Sequence, residues 1–237
     1  MTKASNEGEL VERMGTFTIR RTKHDAEVRA VLPQTVRQVV IVDDGPTAKT
    51  AAAIAVDAVA AGDRPLVFAH LRETAAACSR EFATLCGSTP VQSALLTGDD
   101  PPERRAEKVA RIKEAGGPAA AFATIDSTGM GISLSNFDVV IFAEMHAIGT
   151  RNLQAEERVY EVTRDRPVGV YYCVRRGTRD EQIARLVCEK LDQADALLGP
   201  DRDSESMRGA LRGALGGARG TPRPLVDLAQ RLRSIGC

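Results

Sequence analysis

Lys49 and Thr50 follow the apolar run VRQVVIVD and the turn DDGPTA, which is where a phosphate-binding loop would stand. Such a loop needs Gly-x-x-x-x-Gly-Lys-Ser/Thr, the first glycine for a tight turn and the second so that backbone N–H groups can approach a phosphate. Counting back from Lys49, those two positions hold Asp43 and Ala48. The adjacent carboxylates of Asp43 and Asp44 would also repel a phosphate. The stretch reads instead as a helix start, with Asp44 or Gly45 as the cap and Pro46 in the first turn. No other Gly-x-x-x-x-Gly-Lys-Ser/Thr occurs, and no Asp-Glu-x-His or similar acidic box follows a strand. These residues alone do not provide for ATP hydrolysis.

Three other stretches carry groups suited to phosphate. FTIRRTKHDAEVRAVLP (Phe17–Pro33) is basic, with Arg20, Arg21 and Lys23. STGMGISLSNFDVVIFAE (Ser127–Glu144) puts hydroxyls and glycines in a loop before a strand. LQAEERVYEVTRDRPVGVYYCVRRGTRDEQI (Leu153–Ile183) carries Gln154, Arg158 and Arg164. Each also has a plain reading: a solvated basic helix, a flexible connection, and a surface helix with ion pairs.

The elements that would position them alternate. Apolar strands are predicted at Val36–Val42, Arg64–His70, Val91–Gly98, Ala119–Ile125, Asp138–Glu144 and Val168–Val174. Helices are predicted at Thr47–Ala61, Arg72–Leu85, Pro102–Ala115, Asn152–Val162 and Arg179–Leu198. Strands that read as unbroken apolar runs between helices indicate a parallel sheet covered on both faces. Ligands then belong at the carboxyl ends of the strands. Residues 1–35 read as an N-terminal helical extension, 36–198 as the α/β domain, and 199–237 as a Gly/Arg-rich mobile tail in which Leu225–Ile235 has helical spacing.

Composition narrows the class. Hydrophobic residues are 43% and charged residues 27%, with 32 basic against 32 acidic side chains, an ordinary globular balance whose neutral total neither demands nor excludes nucleic acid. The five cysteines form no Cys-x-x-Cys pair and the three histidines are scattered, so no metal site is expected and reduced cytosolic thiols are the default. MTKASNEGEL lacks an apolar signal core, and no run approaches the roughly 18 apolar residues of a membrane span. The expectation is a cytoplasmic protein. A dinucleotide-binding enzyme is disfavoured, because no Gly-x-Gly-x-x-Gly follows the first strand.

Taken in order, the stretches FTIRRTKHDAEVRAVLP, RPLVFAH, LTGDDPPERR, STGMGISLSNFDVVIFAE and LQAEERVYEVTRDR resemble the C-terminal RecA-like lobe of Swi/Snf-type superfamily-two DNA helicases and translocases. The annealing-helicase subgroup is the nearest in appearance. The resemblance runs from about Phe17 to Leu198. Family members show F-x-x-R-R-x-K, L-V-F-x-H, D-G with a later Arg, a Gly-x-Gly loop, V-V-F-A-E and Q-A-E-D-R-x-H-R-x-G-Q. Gly98 with Arg104 or Arg105 matches the third of these.

The resemblance implies a RecA-like open sheet and an ATP-Mg site shared with a first lobe that carries the phosphate loop. It places Gln154, Arg158 and Gly131 toward the nucleotide, with Arg158 and Arg164 as catalytic arginines acting on the γ-phosphate. It places Thr124, Ser127, Thr128 and Gly129 on DNA phosphates through hydroxyls and backbone N–H groups, Gly129 and Gly131 letting the backbone come close. Arg20, Arg21 and Lys23 become a DNA-facing or lobe-bridging cluster, set against a solvated helix face. The chain also departs from the pattern. Glu161 stands where the second arginine is expected, Tyr160 and Arg164 replace the motif's His and Gln, and MHAIGTRN replaces a tryptophan-bearing segment. Arg164 lies one turn beyond Glu161, and Glu161 could pair with Arg158 or with Arg164.

The leading expectation is half of a split DNA translocase, active as a DNA-dependent ATPase only when a separate phosphate-loop lobe completes it. A phage or mobile element would suit that arrangement. The alternative is a non-catalytic DNA-binding or regulatory module that has lost ATP turnover.

Overall fold

Six apolar segments pair side by side, every pair parallel. They are β1 (Thr35–Val42), β2 (Pro65–Ala69), β3 (Gln92–Leu96), β4 (Ala119–Thr124), β5 (Val139–Phe142) and β6 (Val168–Arg175), in the order β1-β6-β5-β2-β4-β3. The structure is a computed structural model that describes residues 34–114, 116–128, 134–160, 166–199 and 201–217, together with Glu9 and Arg13. Arg20, Arg21, Lys23, Gly129, Gly131, Glu161, Arg164 and the stretch Leu225–Ile235 lie outside the described residues.

The helices are α1 (Thr47–Ala60), α2 (Arg72–Cys86), α3 (Pro102–Glu114), α4 (Gly149–Glu157), α5 (Arg179–Leu198) and α6 (Arg202–Gly216). From β1 the chain steps through β2 to the edge strand β3, with α1 and α2 on one face. It then returns through β4 and β5 to β6, with α3, α4 and α5 on the other. Right-handed crossovers require that change of face when the direction reverses.

Side chains alternate between the two cores as the pleat demands. Leu66, Phe68, Val140, Phe142, Val170 and Tyr172 enter one core, while Val67, Ile141, Tyr171 and Cys173 enter the other. Every residue of β2, β4 and β5 is buried, whereas the edge strands β1 and β3 are partly open. This is why the central strands read as unbroken apolar runs. The rings of Phe68, Phe142 and Tyr172 stack across three strands, with centroids 5.4 and 4.7 Å apart. Each such contact adds about 0.5–1.5 kcal/mol beyond the area it buries.

Three local expectations change. The cap of α1 is Pro46 itself, in extended conformation with no side-chain cap, rather than Asp44 or Gly45; Gly45 takes φ +84° in the preceding turn. Helix α4 begins at Gly149 and ends at Glu157, earlier than predicted at both ends. Its early start depends on Gly149, where a Cβ would lie 2.8 Å from Leu191 Cγ on α5. Its end tightens into a turn in which Val159 N–H and Tyr160 N–H donate to Glu156 and Glu157 carbonyls.

The third change is the tail. Residues 202–216 are an ordered helix, capped by Asp201, whose carboxylate accepts from Asp203 N–H. Met207, Leu211 and Leu215 recur at i, i+4 and i+8 and pack into the same core as α5. Arg208 and Arg212 pair with Asp192 on α5. Glycine-rich composition conceals that stripe when read as an average. Among the described residues no helix is long and apolar enough to cross a membrane.

Candidate functional site

A parallel sheet brings all its strand ends to one rim. Ala69 pairs with Thr124, Phe68 with Phe142, and Leu96 with Ala123, so the residues that follow β2, β3, β4 and β5 meet there. Thr124 is the last residue of β4 and is buried. The chain then makes a single 3-10 turn, Ile125–Thr128.

Ser127 is buried, and its Oγ–H points at the carbonyls of Leu96 and Thr124, each 2.8 Å away. The Ser127 carbonyl in turn accepts from Arg105 Nη1 at 2.5 Å. The hydroxyl expected to reach a DNA phosphate thus lies against strand-end carbonyls inside the protein. The same contact separates Arg105 from Arg104, which is exposed and lies 3.7 Å from Asp100.

Leu134 N–H donates to the Arg158 carbonyl at 3.3 Å. Gln154 and Arg158 are four residues apart on α4 and its cap, hence on one face. Gln154 is exposed and Arg158 half-buried. Together they offer an amide and a guanidinium, which suits one side of a triphosphate.

Two carboxylates hold this rim in place. Glu144 accepts from the N–H groups of His70 (3.1 Å) and Leu71 (2.9 Å) and from Thr74 Oγ1 (2.8 Å). It caps α2 from a neighbouring strand, a task left open because Leu71 has no capping side chain. Glu156 is fully buried. Arg37 reaches it through Nη2 at 2.6 Å, and Tyr172 and Tyr160 donate to it as well. Arg37 also binds Asp203 at 2.8 Å, and Thr35 donates to Tyr160 at 2.8 Å.

Burial pushes the Glu156 carboxyl above its ordinary range, and the Arg37 guanidinium pulls against that shift. Burial and the nearby Glu156 charge raise both tyrosines, so they remain neutral donors. The motif glutamate and the tyrosine that replaces the motif histidine are thus members of a structural network joining α4, β1, β6 and α6.

No family model matches the chain. It is 30% identical over 114 residues to the human TATA-binding protein-associated factor 172, covering 48% of this chain and 6% of that protein. It is 34% identical over 68 residues to the SWI/SNF-related matrix-associated actin-dependent regulator of chromatin subfamily A-like protein 1 of Xenopus tropicalis, covering 29% of this chain and 7% of that one. It is 31% identical over 128 residues to the ATP-dependent helicase fft1 of Schizosaccharomyces pombe, covering 54% and 12%. The crystal structure of the C-terminal part of the Fun30 ATPase domain superposes on 88% of the chain and 62% of its own length, with TM-score 0.51 and 16% identity.

The chain is similar in sequence to Swi/Snf-related helicases and shares its fold with the C-terminal part of the Fun30 ATPase domain. Its sheet and helices are the RecA-like α/β fold expected of a Swi/Snf-type C-terminal lobe. It spans only 6 to 12% of these three relatives.

Within the lobe, the residues missed at the level of sequence are mostly structural. Arg37 is the clearest, and its signal was a guanidinium interrupting an apolar strand. Asn152, fully buried, exchanges hydrogen bonds with the backbone of His146, accepting from its N–H and donating to its carbonyl, both at 2.8 Å. It fixes the segment that replaces the family's tryptophan-bearing one.

Proposed function

We propose that this lobe is the second half of an ATP-dependent DNA translocase. In this reading it contributes DNA-backbone contacts from the turn and loop at 124–131 and an arginine, Arg158, to an ATP site completed by a phosphate-loop lobe on a separate chain. Arg164 is the second candidate arginine. The observation that carries the reading is the Leu134–Arg158 backbone bond, which joins the end of the glycine loop to the end of the helix presenting Gln154 and Arg158.

In phosphoryl transfer, an arginine supplied from a second body stabilises the charge developing on the phosphoryl oxygens. Bound ATP and Mg²⁺ would supply the phosphoryl group and neutralise part of that charge. Arg158 would approach from the side opposite the phosphate loop, and Gln154 would orient beside it. Thr124, Ser127, Thr128 and Gly129 are the residues proposed for DNA phosphates, with Arg20, Arg21 and Lys23 extending the basic surface.

A second reading, a DNA-binding or regulatory module without turnover, is favoured by Glu161, a carboxylate where the motif has an arginine. Reconstitution separates the two. The chain is mixed with a phosphate-loop lobe encoded in its own genome, and DNA-stimulated ATP hydrolysis is measured. Hydrolysis in the mixture supports the translocase; DNA binding without hydrolysis in any mixture supports the module.

A further inference from the structure

The structure gathers two of the three histidines that sequence leaves scattered. His70 follows β2, His146 follows β5, and Asp126 lies in the 3-10 turn after β4. The imidazoles stand edge to face, with centroids 5.1 Å apart and planes at 86°. One ligand atom from each of His70, Asp126 and His146 lies within 4.8 Å of the other two. We propose that these three side chains form a divalent metal site, with zinc as the ion that two imidazoles and one carboxylate suit.

The donor set is one that zinc takes with three protein ligands and a fourth, open position. Tetrahedral bonds of about 2.0–2.1 Å put ligand atoms roughly 3.3 Å apart. The side chains therefore need to close by only about 1.5 Å from the 4.8 Å limit. Their backbones are already held. His70 N–H is bound by Glu144, and His146 is bracketed by Asn152 on both its N–H and its carbonyl. These bonds fix the main chain from which each ring projects. His70 Nδ1 is buried without a hydrogen-bond partner, so that ring has a nitrogen uncommitted to the protein.

Two groups oppose the ion, and each gives the proposal a signature. Arg151 pairs with Asp126 at 2.5 Å and so competes with a cation for that carboxylate. His146 Nδ1 accepts from Ile148 N–H at 2.9 Å, which places the ring proton on Nε2. Binding through Nε2 moves that proton to Nδ1 and releases the Ile148 amide, the N-cap residue of α4. The ion would thus link the ends of β2, β4 and β5 and report its presence at the start of α4. Cys78 is a poor rival ligand, because burial pushes its thiol up to about 12.

The test uses the full chain, stripped with chelator and titrated calorimetrically with Zn²⁺, and separately with Co²⁺ under visible absorption. One Zn²⁺ per chain is expected, with cobalt d–d bands and no thiolate charge-transfer band. His70→Gln and His146→Gln should each weaken Zn²⁺ by at least about 100-fold, since even outer-shell partners cost about 10–100-fold. Arg151→Ala should tighten it several-fold, and the Ile148 amide resonance should shift on saturation. Asp126→Asn, at an exposed position, serves if a histidine variant fails to fold, and should lose about tenfold or more by the same comparison. The absence of stoichiometric Zn²⁺ binding overturns the proposal. So does affinity unchanged by Asp126→Asn and by either histidine variant, or a cobalt spectrum dominated by thiolate.

Discussion

The Leu134 amide donates to the Arg158 carbonyl at 3.3 Å, and on the near side of the same loop Ser127 is fastened to the carbonyls of Leu96 and Thr124. Both described flanks of residues 129–133 are therefore anchored, one to the strand rim and the other to the helix carrying Gln154 and Arg158. A displacement of the loop by bound DNA would act on the arginine's backbone through one hydrogen bond. That link is the physical basis for expecting DNA to stimulate hydrolysis.

Ser127→Ala tests which way the hydroxyl works. It should lower the unfolding free energy by about 1–3 kcal/mol, the cost of leaving buried carbonyl groups short of a donor. DNA affinity at fixed salt should change little. Equilibrium denaturation and a DNA-binding titration on the same preparation distinguish the outcomes; a loss of affinity at unchanged stability would mean that the hydroxyl faces phosphate.

Glu156→Gln should be severe although the residue touches no proposed ligand. It leaves Asp203 as the only carboxylate on the buried Arg37, and breaking a buried ion pair from one side costs about 3–5 kcal/mol, Asp203 placing this case toward the lower end. Replacing both members, Arg37→Met with Glu156→Leu, should cost less than the two single changes added together. A double-mutant cycle in urea provides the coupling.

Met207→Ala probes the tail helix. Met207 is fully buried in the core shared with α5. Its truncation should cost about 2–5 kcal/mol, as for other buried large-to-small changes. A change near zero would mean that residues 202–216 contribute nothing to the fold.

An acid-side prediction comes from Asp100. Its hydrogen bond from Lys108 holds the carboxyl below the ordinary aspartate value. A depressed folded value contributes stability that is present above the unfolded pKa and lost as pH falls through the folded one. Asp100→Asn should therefore lower Tm slightly at neutral pH and leave it nearly unchanged at the acid extreme, so that the acid limb of Tm against pH flattens.

The six strands were legible because β2, β4, β5 and β6 are covered on both faces and must be apolar throughout. The failed phosphate loop at Lys49 was equally legible, since its glycine requirement is local. What sequence concealed was long-range. Arg37 and Glu156 are 119 residues apart, and neither spacing nor composition joins them. His70 and His146 come together only because β2 and β5 are neighbours in the sheet. The tail helix was hidden by averaging: its glycines sit on the open side, and its three apolar residues decide the packing.

The most direct test of the proposed function is the turnover of a reconstituted pair. Wild-type chain mixed with a phosphate-loop lobe should hydrolyse ATP when DNA is added, and neither component alone should do so. Arg158→Ala should reduce kcat by about 10³-fold or more, the scale of a transition-state arginine, while DNA binding by the mixture persists. Turnover by the isolated chain, or a mixture whose kcat is unchanged by Arg158→Ala, would contradict the account.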